Sequence, residues 1–279
     1  MEFQLKRSYV SMTKTNDEPR KEEEKKKEKK QQQEVNKRIQ MQMGRSDIDI
    51  SKIGGPKDIE IYNDNITDTT QRYINDLKGI MNETTERIIK SIKEKELNSA
   101  RIIRVPNDYY QRSLDFRKEC LNAPDTKYLC KSLLMKNTKG ICIDWKDPTN
   151  SLYYLVVFQY VTKLCSEKIM KFVRYINGYE ISKKNFKFRL ASPEESLQVT
   201  GFDHNAVTPI GIKYSDIPII LSHRVLELGH FWMGGGEVDV KIAVNVNQFR
   251  NQFKPYIADI TYEGFIDPTE NLEQLTSTF

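Results

Sequence analysis

The chain has 279 residues and a mass of 32.7 kDa, room for one or two domains but not for a large multi-domain machine. Hydrophobic residues make up 38% and charged residues 30%, so part of the chain must stay outside any core. A balance of 44 Lys+Arg against 39 Asp+Glu leaves +5, a charge that permits a polyanionic partner without identifying one. No uncharged apolar run reaches the ~18 residues of a membrane span, and Met1-Glu2-Phe3-Gln4-Leu5-Lys6-Arg7 lacks the apolar centre of a secretory leader. A soluble cytoplasmic protein is expected. Cys120, Cys130, Cys142 and Cys165 form no CxxC pair, and His204, His223 and His230 are not at the i, i+4 spacing of a helical metal site. Reduced thiols, no metal and no cofactor are expected.

From about Asp17 to Arg38 the chain is nearly all Lys, Glu, Arg and Gln, with almost nothing to bury. The extension 1–66 therefore reads as disordered or as a solvated single helix, serving either as an inert tail or as an arm that seeks phosphates. After Gly54-Gly55-Pro56, the residues Ile74, Leu77, Met81, Ile88 and Ile92 recur at steps of three, four or seven. This predicts an amphipathic helix from roughly Thr67 to Leu97, within a segment 67–101. Its narrow apolar stripe suits packing in cis, pairing with a partner, or self-association.

From 102 to 256 the texture is that of a globular domain, followed by a tail over 257–279. Strands are predicted at Ser132 to Met135, Gly140 to Asp144, Leu152 to Phe158, Lys187 to Leu190, Ile217 to Leu221, Phe231 to Met233 and Val238 to Val244. One helix is predicted from Thr162 to Asn177, stopped by Gly178. Another is capped by Ser192, with Pro193 in the first turn, Glu195 completing a capping box and Gly201 as the stop. Strands outnumber helices and connections are short, which predicts an α+β class: a twisted mixed sheet carrying a few helices.

Three segments have the makings of a ligand site. Lys131 opens a strand of apolar residues and is either an electrostatic anchor at a sheet end or a snorkelling surface lysine. The stretch Thr200 to Gly211 is either an ordinary connection or a rigid loop offering backbone amides to a carbonyl or phosphate. Gly234-Gly235-Gly236 is either a plain hairpin turn or a place where backbone approaches a ligand closely. No Gly-Lys-Ser/Thr follows it, which excludes a Walker loop, and the dinucleotide spacing is incomplete.

Taken together, in order and spacing, these segments resemble the YbaK and ProX group of aminoacyl-tRNA editing domains, also called the prolyl-tRNA synthetase associated domain. The resemblance runs from about Arg104 to Lys254. It rests on Cys130-Lys131-Ser132, Ala191-Ser192-Pro193-Glu194-Glu195, Val207-Thr208-Pro209-Ile210-Gly211, and Trp232-Met233-Gly234-Gly235-Gly236 followed by Val240-Lys241-Ile242. Arg104 to Tyr110 and Leu129 to Ser132 further resemble the eukaryotic free-standing branch.

The resemblance implies a YbaK-like α/β domain that hydrolyses the ester joining a wrongly attached, small amino acid to a tRNA. The family's strand lysine falls on Lys131. Its Gly-x-x-x-Pro loop, which grips the aminoacyl carbonyl and terminal ribose, falls on Asn205, Ala206, Val207, Thr208 and Pro209, and its glycine turn on Gly234, Gly235 and Gly236. Asn205 stands where many members have glycine, and Asn tolerates positive φ better than most residues. The implied partners are mischarged tRNA and an aminoacyl-tRNA synthetase or elongation factor, with no membrane. Such hydrolysis needs oriented water and oxyanion donors rather than a Ser or Cys nucleophile, and Cys130 should point to the face opposite Lys131. An editing site is useful because one methylene is worth only about 1 to 3 kcal/mol to a synthetic pocket. The competing expectation, raised by Asn205 and the helical stripe, is a non-catalytic module that binds tRNA or a synthetase.

Overall fold

The computed structural model describes residues 82–262; the expected extension 1–66, the first part of the amphipathic helix and the chain from 263 onward lie outside them. Helix α1 (Glu83–Glu94) starts from Asn82, whose side chain accepts from the Thr85 amide at 3.0 Å while the Thr85 hydroxyl accepts from the Asn82 amide at 2.9 Å. This reciprocal cap requires extended backbone at Asn82 (φ −133°, ψ 174°), so the predicted helix through 67–97 is not continuous. The sequence pattern carried the same apolar spacing across the break and concealed it. Ile88 and Ile92 of the stripe are buried in the main core, so this portion of the helix packs in cis.

The elements that follow are β1 (Arg101–Arg104), α2 (Leu114–Cys120), β2 (Cys130–Asn137), β3 (Tyr153–Gln159), β4 (Lys163–Leu164), α3 (Ser166–Ile176) and β5 (Phe188–Leu190). Then come α4 (Pro193–Thr200), β6 (Ile219–Ser222), β7 (His230–Gly234), β8 (Val240–Asn245), α5 (Val246–Phe253), β9 (Tyr256–Ala258) and β10 (Thr261–Tyr262). A five-stranded mixed sheet has the order β5-β2-β3-β6-β9, antiparallel on the β5 side of β3 and parallel on the other. Its central strand β3, Tyr-Tyr-Leu-Val-Val-Phe-Gln, is buried at every position, as a strand covered on both faces must be. A second, antiparallel sheet, β1-β8-β7, is joined to it by a bridge between Leu129 and Trp232, and β4 pairs with β10. Leu155, Val157 and Leu221 of the first sheet meet Phe231, Ile242 and Val244 of the second and Ile88 of α1 in one core. Among the described residues no helix is long and apolar enough to cross a membrane.

The mixed α+β architecture agrees with expectation, and the cap of α4 forms as the sequence reads. The Glu195 amide donates to the Ser192 hydroxyl and the Ser192 amide to the Glu195 carboxylate, both at 3.2 Å, and Gly201 ends the helix at φ 73°. A hydrogen bond from Lys136 holds the Glu195 carboxyl below its usual range.

Several boundaries differ from expectation. Gly140 to Asp144 is not a strand: its alternating Ile141 and Ile143 are 64% and 89% exposed, in a turn-rich connection between β2 and β3. Helix α3 begins at Ser166 rather than Thr162, because Lys163–Leu164 pairs with β10. Helices α2 and α5, capped by Ser113 and Asn245, were not predicted. The folded body extends at both ends beyond 102–256, since α1 fills the core and β9 is a strand of the large sheet, not the start of a tail.

Candidate active site

The first residues of β2, Cys130 and Lys131, both line one cleft and differ in burial. Cys130 is 3% exposed, and burial pushes its thiol far above the usual range, which leaves no thiolate for nucleophilic use. Lys131 is half-buried, its ammonium 4.9 Å from the centroid of the Tyr160 ring and 5.3 Å from that of Phe158. Aromatic faces attract a cation through the ring quadrupole. The ammonium side chain borders a cleft of about 330 Å³ whose lining includes Leu133, Leu134, Leu190, Ala191, Pro193 and Val207. Tyr110, Lys131, Ser132, Tyr160, Ser196, His204 and Asn205 bring polar side chains to it.

The loop after α4 forms the opposite wall. Asn205 adopts φ 64°, the left-handed conformation that Asn tolerates better than most residues. Its carbonyl accepts from the Tyr110 hydroxyl at 2.8 Å, and the next amide, of Ala206, donates to the Asp203 carbonyl at 3.1 Å. The Ala206 carbonyl in turn accepts from the Gly236 amide at 3.1 Å. A β-carbon on Gly234 would stand 2.8 Å from the Val207 carbonyl oxygen and 3.2 Å from that of Ala206, so both carbonyls face the glycine turn.

Because a trans peptide sets its N–H opposite its C=O, the amides of Val207 and Thr208 face away from that turn. Neither has a hydrogen-bond acceptor among the described residues. Val207 lines the cleft together with Lys131, and an unengaged N–H in such a wall is the kind of donor that a carbonyl oxygen gaining negative charge requires.

Of the predicted residues, the cleft thus brings together Lys131, Asn205, Val207 and Gly234. Ala206 and Thr208 are wholly buried and Pro209 is buried too, so they shape the loop from behind. Gly235 and Gly236 do not line the cleft. A β-carbon on Gly235 would strike Val240, and one on Gly236 would crowd Thr84, Ile88 and Phe202.

The family model of the aminoacyl-tRNA editing domain matches residues 121–251. The match covers 131 of the 279 residues, and over them the chain is similar to that family. Two solved structures share the fold of the editing domain. A candidate trans-editing enzyme for prolyl tRNA synthetase aligns with TM-score 0.51 and 18% identity over 65% of this chain and 99% of its own. A scaffold from work on epitope backbone grafting by computational design aligns with TM-score 0.51 and 15% identity over 65% and 99%. No curated protein matches the chain in sequence.

Sequence reasoning missed the layer that supports the cleft. Tyr110 lines it and sits over two buried cations. The Lys241 ammonium is 4.8 Å from its ring centroid and the Arg117 guanidinium 5.6 Å. Arg117 also donates to the carbonyls of Tyr109 at 3.0 Å and Tyr110 at 2.8 Å, fixing the turn that carries both rings. Lys241, 3% exposed, donates to the carbonyls of Val238 at 2.6 Å and Val240 at 3.2 Å, and its burial brings its pKa down to about 8. From the other side, α1 props both turns: Arg87 donates to the Gly201 carbonyl at 2.6 Å, and Asn82 to the Glu237 carboxylate at 2.9 Å. The Tyr109-Tyr110 pair and Lys241 were visible beforehand as parts of a resemblance rather than as a site, and Arg117 was not. The Ser132 hydroxyl is buried without a hydrogen-bond partner among the described residues, a cost of about 1 to 3 kcal/mol.

Proposed function

We propose that the chain is a cytoplasmic trans-editing deacylase that hydrolyses the ester between a small, wrongly attached amino acid and the 3′ end of a tRNA, in the quality control of prolyl-tRNA. The observation that carries this reading is the meeting of Lys131 with Asn205 and Val207 of the loop and with Gly234 at one small, largely apolar cleft. Water adds to the ester carbonyl carbon, and the amides and the ammonium receive the oxygen as it becomes negative. The carbon–oxygen bond to the ribose then breaks, the ribose oxygen takes a proton, and the amino acid leaves as its carboxylate. The vicinal ribose hydroxyl orients the water, so no protein nucleophile takes part. Apolar walls from Leu134, Ala191 and Val207 suit a short aliphatic side chain.

A panel of mischarged tRNAs tests this. At least one ester of a small amino acid is expected to be hydrolysed well above the uncatalysed rate while prolyl-tRNA is spared. Binding of tRNA, a synthetase or an elongation factor without hydrolysis of any ester would instead establish the non-catalytic module. Asn205 gives that alternative little support, because its φ of 64° keeps the loop in the conformation glycine would take.

Tyr110→Phe probes the loop itself. It removes the hydroxyl from the Asn205 carbonyl and leaves the ring over Lys241 and Arg117. One net hydrogen bond is worth about 1 kcal/mol, so kcat should fall ~5-fold with KM little changed. Single-turnover kinetics with saturating enzyme would read this directly. An unaltered kcat would remove Tyr110 from the positioning of the loop.

A further inference from the structure

Strand β5 is the outer strand of the large sheet, and the run Lys183-Lys184-Asn185-Phe186-Lys187-Phe188-Arg189-Leu190 carries four basic side chains and no acidic one. All four are exposed and none forms an ion pair among the described residues. Their backbone is held in place by Asn137, which is 1% exposed. The Asn137 amide nitrogen donates to the Asn185 carbonyl at 3.0 Å, and its oxygen accepts from the amides of Lys187 at 2.8 Å and Lys139 at 3.3 Å. The Thr138 amide and hydroxyl both donate to the Lys187 carbonyl, at 2.9 and 3.0 Å. One buried asparagine therefore gathers a fifth exposed cation, Lys139, onto the same edge.

This cationic edge runs into the cleft. Leu190 and Ala191 line it, Arg189 directly precedes them, and Lys187 stands about 10 Å back at the ~3.3 Å rise of an extended strand. We propose that the β5 edge, with Lys139, Lys183, Lys184, Lys187 and Arg189, is the track for the ribose–phosphate backbone of the RNA whose aminoacylated end enters the cleft. The inference rests on the deacylase reading, because an ester at an RNA 3′ end places its first phosphates just outside the cavity that holds it. Charge complementarity favours that occupant, and a line of separated cations ending at the cleft follows a strand. An acidic protein surface would have no reason to end there. Contacts of this kind read backbone and not bases, so they should serve different tRNAs alike.

The test is the triple variant Lys183→Ala/Lys187→Ala/Arg189→Ala in the full chain, at positions exposed enough to leave the fold intact. Binding of uncharged tRNA is followed by fluorescence anisotropy over a range of salt. Three lost contacts to a single strand, each worth a slope of ~0.7, should make the log–log salt dependence shallower by about 2 and weaken binding roughly 50-fold near 0.15 M salt. Hydrolysis of a short substrate, aminoacyl-adenosine, should be unchanged, since it ends before the track. An unchanged salt slope overturns the proposal, as does loss of binding to polyglutamate with tRNA binding retained. If the wild type hydrolyses neither substrate, the deacylase reading fails, and the anisotropy still decides the track.

Discussion

Lys131→Ala is expected to reduce kcat for ester hydrolysis by about 10² to 10³-fold, the loss found when one donor to a developing oxyanion is removed. The ammonium lies over the rings of Tyr160 and Phe158, and Lys131 lines the cleft together with Asn205 and Val207 of the loop. Its charge stabilises the addition of water more than the resting ester, because only the former carries a full negative charge, and so the loss should appear in kcat. Lys131 is half-buried, and a partly exposed cation–π contact is worth about 0.5 to 1 kcal/mol, so thermal unfolding should shift only slightly. Lys131→Arg should recover little, since a broad planar guanidinium cannot occupy the point that a compact ammonium takes near the two rings. Single-turnover rates on the best ester of the panel would measure both variants. Equal rates for wild type and Lys131→Ala would remove this residue from the chemistry.

What could be read in advance divides along a physical line. Ser192, Pro193, Glu195 and Gly201 mark α4 because a cap is satisfied within a few residues, and the α4 cap formed as read. Ile141 and Ile143 misled because alternation records only a pattern of side chains, while whether a second strand lies alongside depends on the rest of the chain. The helical stripe misled in the opposite sense. Periodicity persisted through Asn82, where backbone capping breaks the helix, and a face that resembled a seam between chains fills the core behind the two site loops. At the site itself, Lys131 and the two loops carry local marks, a strand-opening cation and clustered glycines. Tyr110, Arg117 and Lys241 support them through contacts spanning up to 131 positions between Tyr110 and Lys241, and no short-range spacing encodes such a contact.

Gly234→Ala should disable the cleft without a clash of conformations. Gly234 ends β7 outside the positive-φ region, so its backbone accepts alanine, and the effect of the substitution comes from close approach alone. The new methyl would meet the Val207 carbonyl oxygen at 2.8 Å and that of Ala206 at 3.2 Å, backbone atoms that cannot rotate aside. The loop must retreat, carrying the Val207 and Thr208 amides with it and stretching the bond from the Gly236 amide to the Ala206 carbonyl. A displacement near 1 Å at a reacting centre costs about 10²-fold in rate, and overpacking of this kind costs about 1 to 3 kcal/mol of stability. Both losses are expected, the first in kcat and the second in the unfolding midpoint in urea. The β5 edge lies on the far side of β2 from β3 and is untouched, so tRNA affinity and its salt slope should stay at wild-type values. Aminoacyl-adenosine and aminoacyl-tRNA should lose turnover to the same degree, the reverse of the pattern expected for the Lys183/Lys187/Arg189 variant. A Gly234→Ala enzyme with full turnover would mean that the carbonyl-facing geometry of this turn does not set the position of the loop amides during hydrolysis.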